Sequence, residues 1–342
     1  MEVVLAQQDD LKNLDGYLDA HPDGCAFQTS TWQQAVVSAY GHRVFYLMAR
    51  RDHKICGVLP LIFMNNRFFP RVLATSPYAS FGAICADGEE EARGLIEKAI
   101  ELSYELRASY LELKSVRENR HERLIRHTDY VTYRLALNHP DQMWSNTLAG
   151  RARTGLRKAE SFQLTCSRGH HLLDVFYDIM ADNMRRLGTP IHSKAFYQNI
   201  LLGFGSKAEI FVALYQGLPI AALLTLRHQS EITVLYASSL SQYWNMYPNK
   251  FLYWEAMKQA FADGARFFDF GRSLQGSGTS KFKEELGALP RQLYYEYFLN
   301  GLKSIPKINQ SNPRYRWATS IWKRIPLGLT KLLGPLLIKN IP

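Results

Sequence analysis

The chain has 342 residues, 46% of them hydrophobic and 21% charged, with a formal net charge of +10. This composition excludes a disordered or fibrous protein, and the length exceeds what one core ordinarily fills, so two domains are expected. The charge is unevenly placed: residues 301–342 hold eight Lys or Arg and no acid, which leaves the remainder near neutral.

A helix is expected from about Ser30 (TSTWQQAVVSAYG), followed by YLMARRDHKICGVLPLIFM, two apolar runs around a polar turn that suggest a hairpin. RVLATSPYASFGAICA then reads as a strand. EEARGLIEKAIELSYEL has apolar positions at helical spacing and three acids in its first turn, where the helix dipole favours them. SYLELKSV and YVTYRLALN follow as strands. NHPDQ breaks the pattern between Asn138 and Ser145.

The same order then returns. HLLDVFYDIMADNMRRLG and KAFYQNILLGFG are helical, and AEIFVALYQGLPIAALLTLRH again has two apolar runs around a glycine-containing turn. EITVLYASSLS reads as a strand, FLYWEAMKQAFADGA as a helix, RFFDFG as a strand and QLYYEYFL as a last strand. The repeated order points to a structural duplication, with domains at 1–140 and 141–300 and a basic, amphipathic C-terminal tail at 301–342. The tail interleaves Trp317, Ile321, Trp322, Leu329, Leu332, Leu333, Leu336 and Leu337 with its cations. That suits peripheral docking on an anionic membrane surface; packing of the apolar face on the domains is the other reading.

No run approaches the roughly 20 apolar residues needed to cross a bilayer. The N-terminus MEVVLAQQDD lacks the basic and apolar regions of a secretion signal, so the cytoplasm, with peripheral attachment to the inner face of the membrane, is the expected location. The four cysteines are far apart in sequence, which argues for buried thiols rather than disulfides or zinc. His170 and His171 have no acid or cysteine at ligand spacing, and no metal is expected.

A β-hairpin, strand, helix and strand in this order is the pattern of the GNAT N-acyltransferase fold, an α/β arrangement of mixed sheets flanked by helices. Two copies in one chain resemble the FemAB-like family. The segments WSNTLAGRARTGLRKAESFQLTCSRG, RRLGTPIHSKAFYQNIL and FDFGRSLQGSGTSKFKEELGALPRQLYYEYFL look like motifs of its subgroup associated with XrtA/PEP-CTERM exopolysaccharide export systems. The resemblance covers nearly the whole chain, although the long helical-hairpin insertion of some FemAB proteins is absent. It implies acyl or aminoacyl transfer to an amine of a cell-envelope or exopolysaccharide precursor. The donor would be aminoacyl-tRNA or acyl-CoA, with no permanently bound cofactor. Two alternatives stay open: an acetyl-CoA-dependent N-acetyltransferase, and a non-catalytic component of polysaccharide export.

The glycine-rich stretch at 268–287 is neither a Walker A loop, since Ser277 stands where lysine is required, nor a Rossmann fingerprint. Phe268–Phe270 alternate as a strand does, which sets Asp269 on the face opposite its neighbours. Ser277, Thr279 or Ser280 would cap the helix that follows. Loop amides and a helix N-terminus make an anion site, with Arg272, Lys281 and Lys283 beside it to hold phosphate or carboxylate. Asp269 is a candidate catalytic residue that positions or deprotonates the amine; a structural pairing with Arg272 is the alternative. Tyr236 is the second catalytic candidate, with Ser238 on the same strand. Tyr78 and Ser80 sit in a polar stretch that lines the acceptor cleft in the family, unless they form a buried tyrosine and a bulge at Gly82. Arg157, within a cluster with Arg151, Arg153 and Lys158, is a further substrate-binding candidate, and tRNA is its possible partner. His192 could be a general base, but a lone loop histidine is more often merely exposed. The pyrophosphate loop of CoA-binding GNAT domains, Q/R-x-x-G-x-G/A, is matched neither by CADGEEEARGL nor by LSQYWNMYPNKFLYW, where Pro248 and Lys250 stand without a glycine.

Overall fold

The computed structural model describes residues 1–66, 69–119, 121–305 and 313–342, with the side chains of 313–317 outside the described set. Of the cations expected in the tail, Lys307 and the side chains of Arg314 and Arg316 therefore lie outside the described residues, as does that of Trp317. The chain forms two compact units. The first comprises Met1–Tyr130, the segment that begins at Gln292, and Lys339–Pro342; the second comprises Val131–Arg291 and the two C-terminal helices as far as Ile338.

The first unit opens with β1 (Glu2–Leu5), α1 (Leu11–Ala20) and α2 (Ser30–Tyr40). Thr29 starts α2 by accepting from the Trp32 amide, and Gly41 stops it in the left-handed region. β2 (Arg43–Arg51) and β3 (Lys54–Met64) are the expected hairpin. β4 (Val72–Ala74) and β5 (Cys85–Ala86) follow, then α3 (Glu89–Glu105), β6 (Tyr110–Ser115) and β7 (Ile125–His127). The single strand expected over RVLATSPYASFGAICA is thus two short strands joined by a loop. Pro77 interrupts it, and Ser76 and Tyr78 both take positive φ, which a continuing strand cannot accommodate. Apolar residues of α3 cover one face of this sheet and α1 the other.

The second unit begins with β8 (Tyr130–Ala136), a single turn α4 (Pro140–Gln142) and the basic helix α5 (Gly150–Ser161). β9 (Thr165–Arg168), α6 (Leu173–Leu187) and α7 (Lys194–Phe204) lead to the hairpin β10 (Ala208–Tyr215) and β11 (Leu218–His228). Then come β12 (Glu231–Ser239), α8 (Pro248–Ala262), β13 (Phe267–Leu274), α9 (Gly278–Glu285) and β14 (Leu289–Gln292). β15 (Tyr294–Leu299), α10 (Pro313–Trp322) and α11 (Leu327–Ile338) complete the chain.

The strand orders are β1-β2-β3-β4-β6-β15-β7 and β14-β8-β13-β12-β11-β10-β9. In each sheet a hairpin runs antiparallel into a third strand, which pairs in parallel with the strand after the next helix: β4 with β6, and β12 with β13. The internal duplication is therefore present in the topology. The two sheets also exchange strands. β8, which the sequence order assigns to the first copy, lies in the second sheet, and β15, from the second copy, lies between β6 and β7 of the first. QLYYEYFL is accordingly not one strand: it divides at the fully buried Leu293, with β14 and β15 in different sheets. The units change over at Tyr130–Val131, ahead of the NHPDQ break.

Candidate functional site

The parallel pair β12–β13 holds register for only three residues: Glu231 with Phe267, Ile232 with Phe268 and Thr233 with Asp269. Two local devices part the strands beyond that point. On β12, Leu235 is an extra residue, because Leu224 of β11 faces Tyr236 while Thr225 faces Val234. A bulge of this kind twists and redirects its strand. On β13, Gly271 has φ +74°, and a Cβ there would lie 2.9 Å from the Val234 carbonyl oxygen, so only glycine fits this close approach.

The bulge also decides which side chains face where. Val234 and, more loosely, Ala237 pack with the core of α5 and α8, whereas the Tyr236 ring lies against Tyr197 of α7 at 5.2 Å and His192 at 5.9 Å. Further along the parted segments, Ser238 and Ser273 are 3% and 4% exposed. Neither hydroxyl has a hydrogen-bond partner among the described residues. Buried hydroxyls left this way cost about 1–3 kcal/mol each and mark a place where a ligand or water belongs.

Asp269 lies at the vertex, 1% exposed. Its Oδ1 accepts from the Thr132 hydroxyl at 2.7 Å and from the Gly271 amide at 2.6 Å. Burial, reinforced by the negative charge of Glu231, raises its carboxyl to about 6 despite those two donors. Lys283 of α9 is also buried, 5% exposed, and its Nζ donates to the carbonyls of Gly271 (2.6 Å) and Arg272 (3.0 Å). Burial lowers its ammonium to about 8, and Asp269 opposes that shift. A buried acid and a buried amine thus flank the backbone turn that opens the strand pair.

α9 starts as expected: Ser277 Oγ accepts from the Ser280 amide. Lys281 is exposed on α9 and Arg272 is exposed on β13. Lys283 was expected to reach a ligand; instead its amine is turned inward and ties down β13. Asp269 is held by Thr132 and Gly271. The expectation for His192 is corrected: it is buried, and burial holds its imidazole neutral down to about 3. The loop between helices is folded into an aromatic cluster with Phe196 and Tyr197.

Arg157 is exposed on α5 with its guanidinium 5.8 Å from the Trp144 ring centroid. Lys158 similarly sits over Tyr247. Arg153 instead bonds the Trp144, Ser145 and Leu148 carbonyls. At the start of α8, Pro248 has no amide to offer and Lys250 is buried. Its Nζ bonds Glu285 Oε2 at 2.7 Å and the Arg151 carbonyl at 3.1 Å. The lysine that stands there without a glycine is thus engaged by Glu285 and the Arg151 carbonyl.

In the first unit the corresponding opening beyond β4 and β6 is filled by the chain itself. The loop from Thr75 returns along β6, and the Gly82 and Ala83 amides both donate to the Lys114 carbonyl, at 3.0 and 3.1 Å. Ser76 Oγ bonds the Phe27 and Gly82 carbonyls. Tyr78 donates to the Lys339 carbonyl at 2.8 Å and contacts His42 Nε2 at 3.2 Å, and the Ser80 carbonyl accepts from Tyr295. Gly82 is a loop residue with φ +116° and forms no bulge. The structure brings Asp269, Lys283 and the Arg272 backbone together in one unit's opening, sets Tyr236 against Tyr197 and His192, and leaves Tyr78 and Ser80 in the loop that closes the other.

Among the described residues, Glu97, His121 and Glu122 are close enough to share a metal ion. They already form pairs, Glu97 with His121 and Arg123 and Glu122 with Arg93, and so have the character of a surface ion network. None of the four cysteines is in a disulfide; Cys56 and Cys85 are buried and Cys25 and Cys166 partly so.

Residues 146–284 match the family model of the acetyltransferase (GNAT) domain. That span contains both strands of the opening, and it makes the chain an acyltransferase by class. The fold is that of the tandem GNAT proteins. It is similar to the crystal structure of FemX (TM-score 0.67, 16% identity, covering 88% of this chain and 98% of that one). It is also similar to a tandem GNAT protein from the clavulanic acid biosynthesis pathway (TM-score 0.58, 10% identity, 89% and 99% covered). The C-terminal domain of a putative lysylphosphatidylglycerol synthetase from Agrobacterium fabrum matches as well (TM-score 0.56, 10% identity, 85% and 92% covered). No curated protein sequence matches significantly.

Proposed function

We propose that the protein transfers an acyl or aminoacyl group to an amine of a cell-envelope or exopolysaccharide precursor, working at the surface of a membrane, in the manner of FemAB-like proteins. The observation that supports this reading is the parted β12–β13 pair with two unpartnered buried hydroxyls and a buried carboxyl near pH 6 at its vertex. Strand edges released from pairing offer unpaired backbone amides and carbonyls to the polar groups of a donor.

In this reading the acceptor amine attacks the donor's ester or thioester carbonyl. The new C–N bond forms as the C–O or C–S bond breaks, and the amine proton ends on the leaving oxygen or sulfur. Asp269 receives or positions that proton; a carboxyl raised to about 6 is better matched to this than an ordinary one. Positioning contributes alongside, since effective molarity is worth about 7–11 kcal/mol in favourable cases. Tyr236, Arg272 and Lys281 contact substrate, and Lys283 shapes the opening. Tyr78 and Ser80 are candidate acceptor-binding residues of the first unit's own loop.

Aminoacyl-tRNA is the favoured donor. Exposed Arg157 and Lys158 beside Trp144 and Tyr247 form a basic, aromatic surface, while Lys250 is engaged with Glu285. The likeness in fold to a putative lysylphosphatidylglycerol synthetase, whose name gives a lysyl group joined to a lipid, favours aminoacyl transfer. The test supplies charged tRNA or acetyl-CoA with amino-sugar nucleotides and follows product mass. Transfer from charged tRNA supports the proposal. Transfer from acetyl-CoA alone replaces it with an acetyltransferase, and no transfer from folded protein leaves the non-catalytic export role.

A further inference from the structure

α11 has two faces of different character. Thr330, Gly334 and Ile338, four residues apart, are buried and seat the helix on the second unit. Gly334 comes so close to the Ile191 backbone that a Cβ would lie 2.9 Å from its carbonyl oxygen. Lys331 bonds Asp178 of α6 at 2.5 Å, which neutralises the acid opposite this helix. The outer face is leucine throughout: Leu329, Leu332, Leu333, Leu336 and Leu337 are all exposed, Leu332 by 67% and Leu336 by 57%. Ile321 of α10 is exposed as well, and Lys323 and Arg324 stand exposed between the two helices.

A contiguous apolar helix face is unusual on a protein surface. It is bordered here by cations in a segment that contains no Asp or Glu at all. No helix among the described residues is long and apolar enough to cross a membrane. We propose that the leucine face of α11 is a docking surface for an anionic phospholipid bilayer, with the leucines entering the interface and Lys323 and Arg324 pairing with lipid phosphates. Apolar insertion and anionic attraction are the two terms that hold an interfacial helix; α11 supplies the first and the turn ahead of it the second. The inference rests on the reading that the protein works at a membrane surface, and it names the element and the lipid chemistry.

The test is co-sedimentation of the full chain with phosphatidylcholine vesicles and with vesicles containing phosphatidylglycerol. Wild-type protein is expected to pellet with the anionic vesicles and to be released by salt. Leu332→Asp with Leu336→Asp, and separately Lys323→Glu with Arg324→Glu, should each weaken binding tenfold or more. Circular dichroism and size-exclusion chromatography on both variants check folding and association. Wild-type protein that stays in solution, or variants that bind as well as wild type, overturn the proposal. A leucine variant that shifts from dimer to monomer while vesicle binding is unchanged assigns the face to a second copy instead. Transfer to a soluble acceptor, run in parallel, separates the two ideas. Transfer without vesicle binding removes only the docking surface, and vesicle binding without transfer removes only the acyltransferase substrate reading.

Discussion

Replacing Asp269 by Asn tests the electrostatics of the opening. The amide keeps an oxygen that can accept from Thr132 and Gly271, so the change removes charge with little change in shape. The wild-type carboxyl is raised from 3.8 to about 6 because it is buried. Between roughly pH 4 and 6 the folded protein therefore binds more protons here than the unfolded chain. Stability from this group is full below pH 4, falls as pH rises through 6, and is flat above. At about 1.4 kcal/mol per pH unit, the loss between pH 4.5 and 7.5 is about 2 kcal/mol. Urea unfolding of wild type and Asp269→Asn at those two pH values reads it directly. The gap between the proteins should move by about 2 kcal/mol in favour of the variant at the higher pH. A gap that is the same at both values would falsify the assignment of a raised, buried carboxyl. The same variant should lose transfer activity, together with the acid limb of the wild-type rate profile near pH 6.

Ser238→Ala and Ser273→Ala should leave thermal stability unchanged or raise it by up to about 1 kcal/mol, since each removes a buried hydroxyl without a partner; steady-state kinetics should show weaker donor use. Gly271→Ala should cost about 1–3 kcal/mol by differential scanning calorimetry, because it meets both a positive φ and the Val234 carbonyl. Lys283→Met removes two hydrogen bonds to the β13 turn and should reduce activity more than it reduces chemical stability, since the buried ammonium it replaces is itself costly. Tyr78→Phe deletes the bond to the Lys339 carbonyl and should cost about 1 kcal/mol, with earlier proteolysis of the last residues as the readout.

Local pattern was enough for most elements. The hairpins β2–β3 and β10–β11 follow from apolar runs around polar turns, and α3 from its spacing and its acidic first turn. A cap of α9 among Ser277, Thr279 and Ser280, and Asp269 on the face of β13 opposite Phe268 and Phe270, were likewise legible, because capping and strand alternation act over two or three residues. So was the duplicated order of elements, and with it the GNAT-like fold.

What lay beyond the sequence depends on partners distant in the chain. That β8 and β15 change sheets is decided by which edge each strand can reach, and their own alternation is the same in either sheet. The loop at 75–84 looked like a strand because its residue types suit one. Only its bonds to β6 show that it fills the first unit's opening. Lys283 and Arg272 carry similar charge in similar surroundings of sequence, yet one is buried against carbonyls and the other exposed. His192 was buried by aromatic residues from α7 and β12 that no local spacing announces. The sequence by itself determined most of the elements, through short-range periodicity, and their order resembled that of the GNAT fold. The tertiary structure alone decided where β12 and β13 part and what is buried there, because burial and pKa are set by neighbours that folding brings from far along the chain.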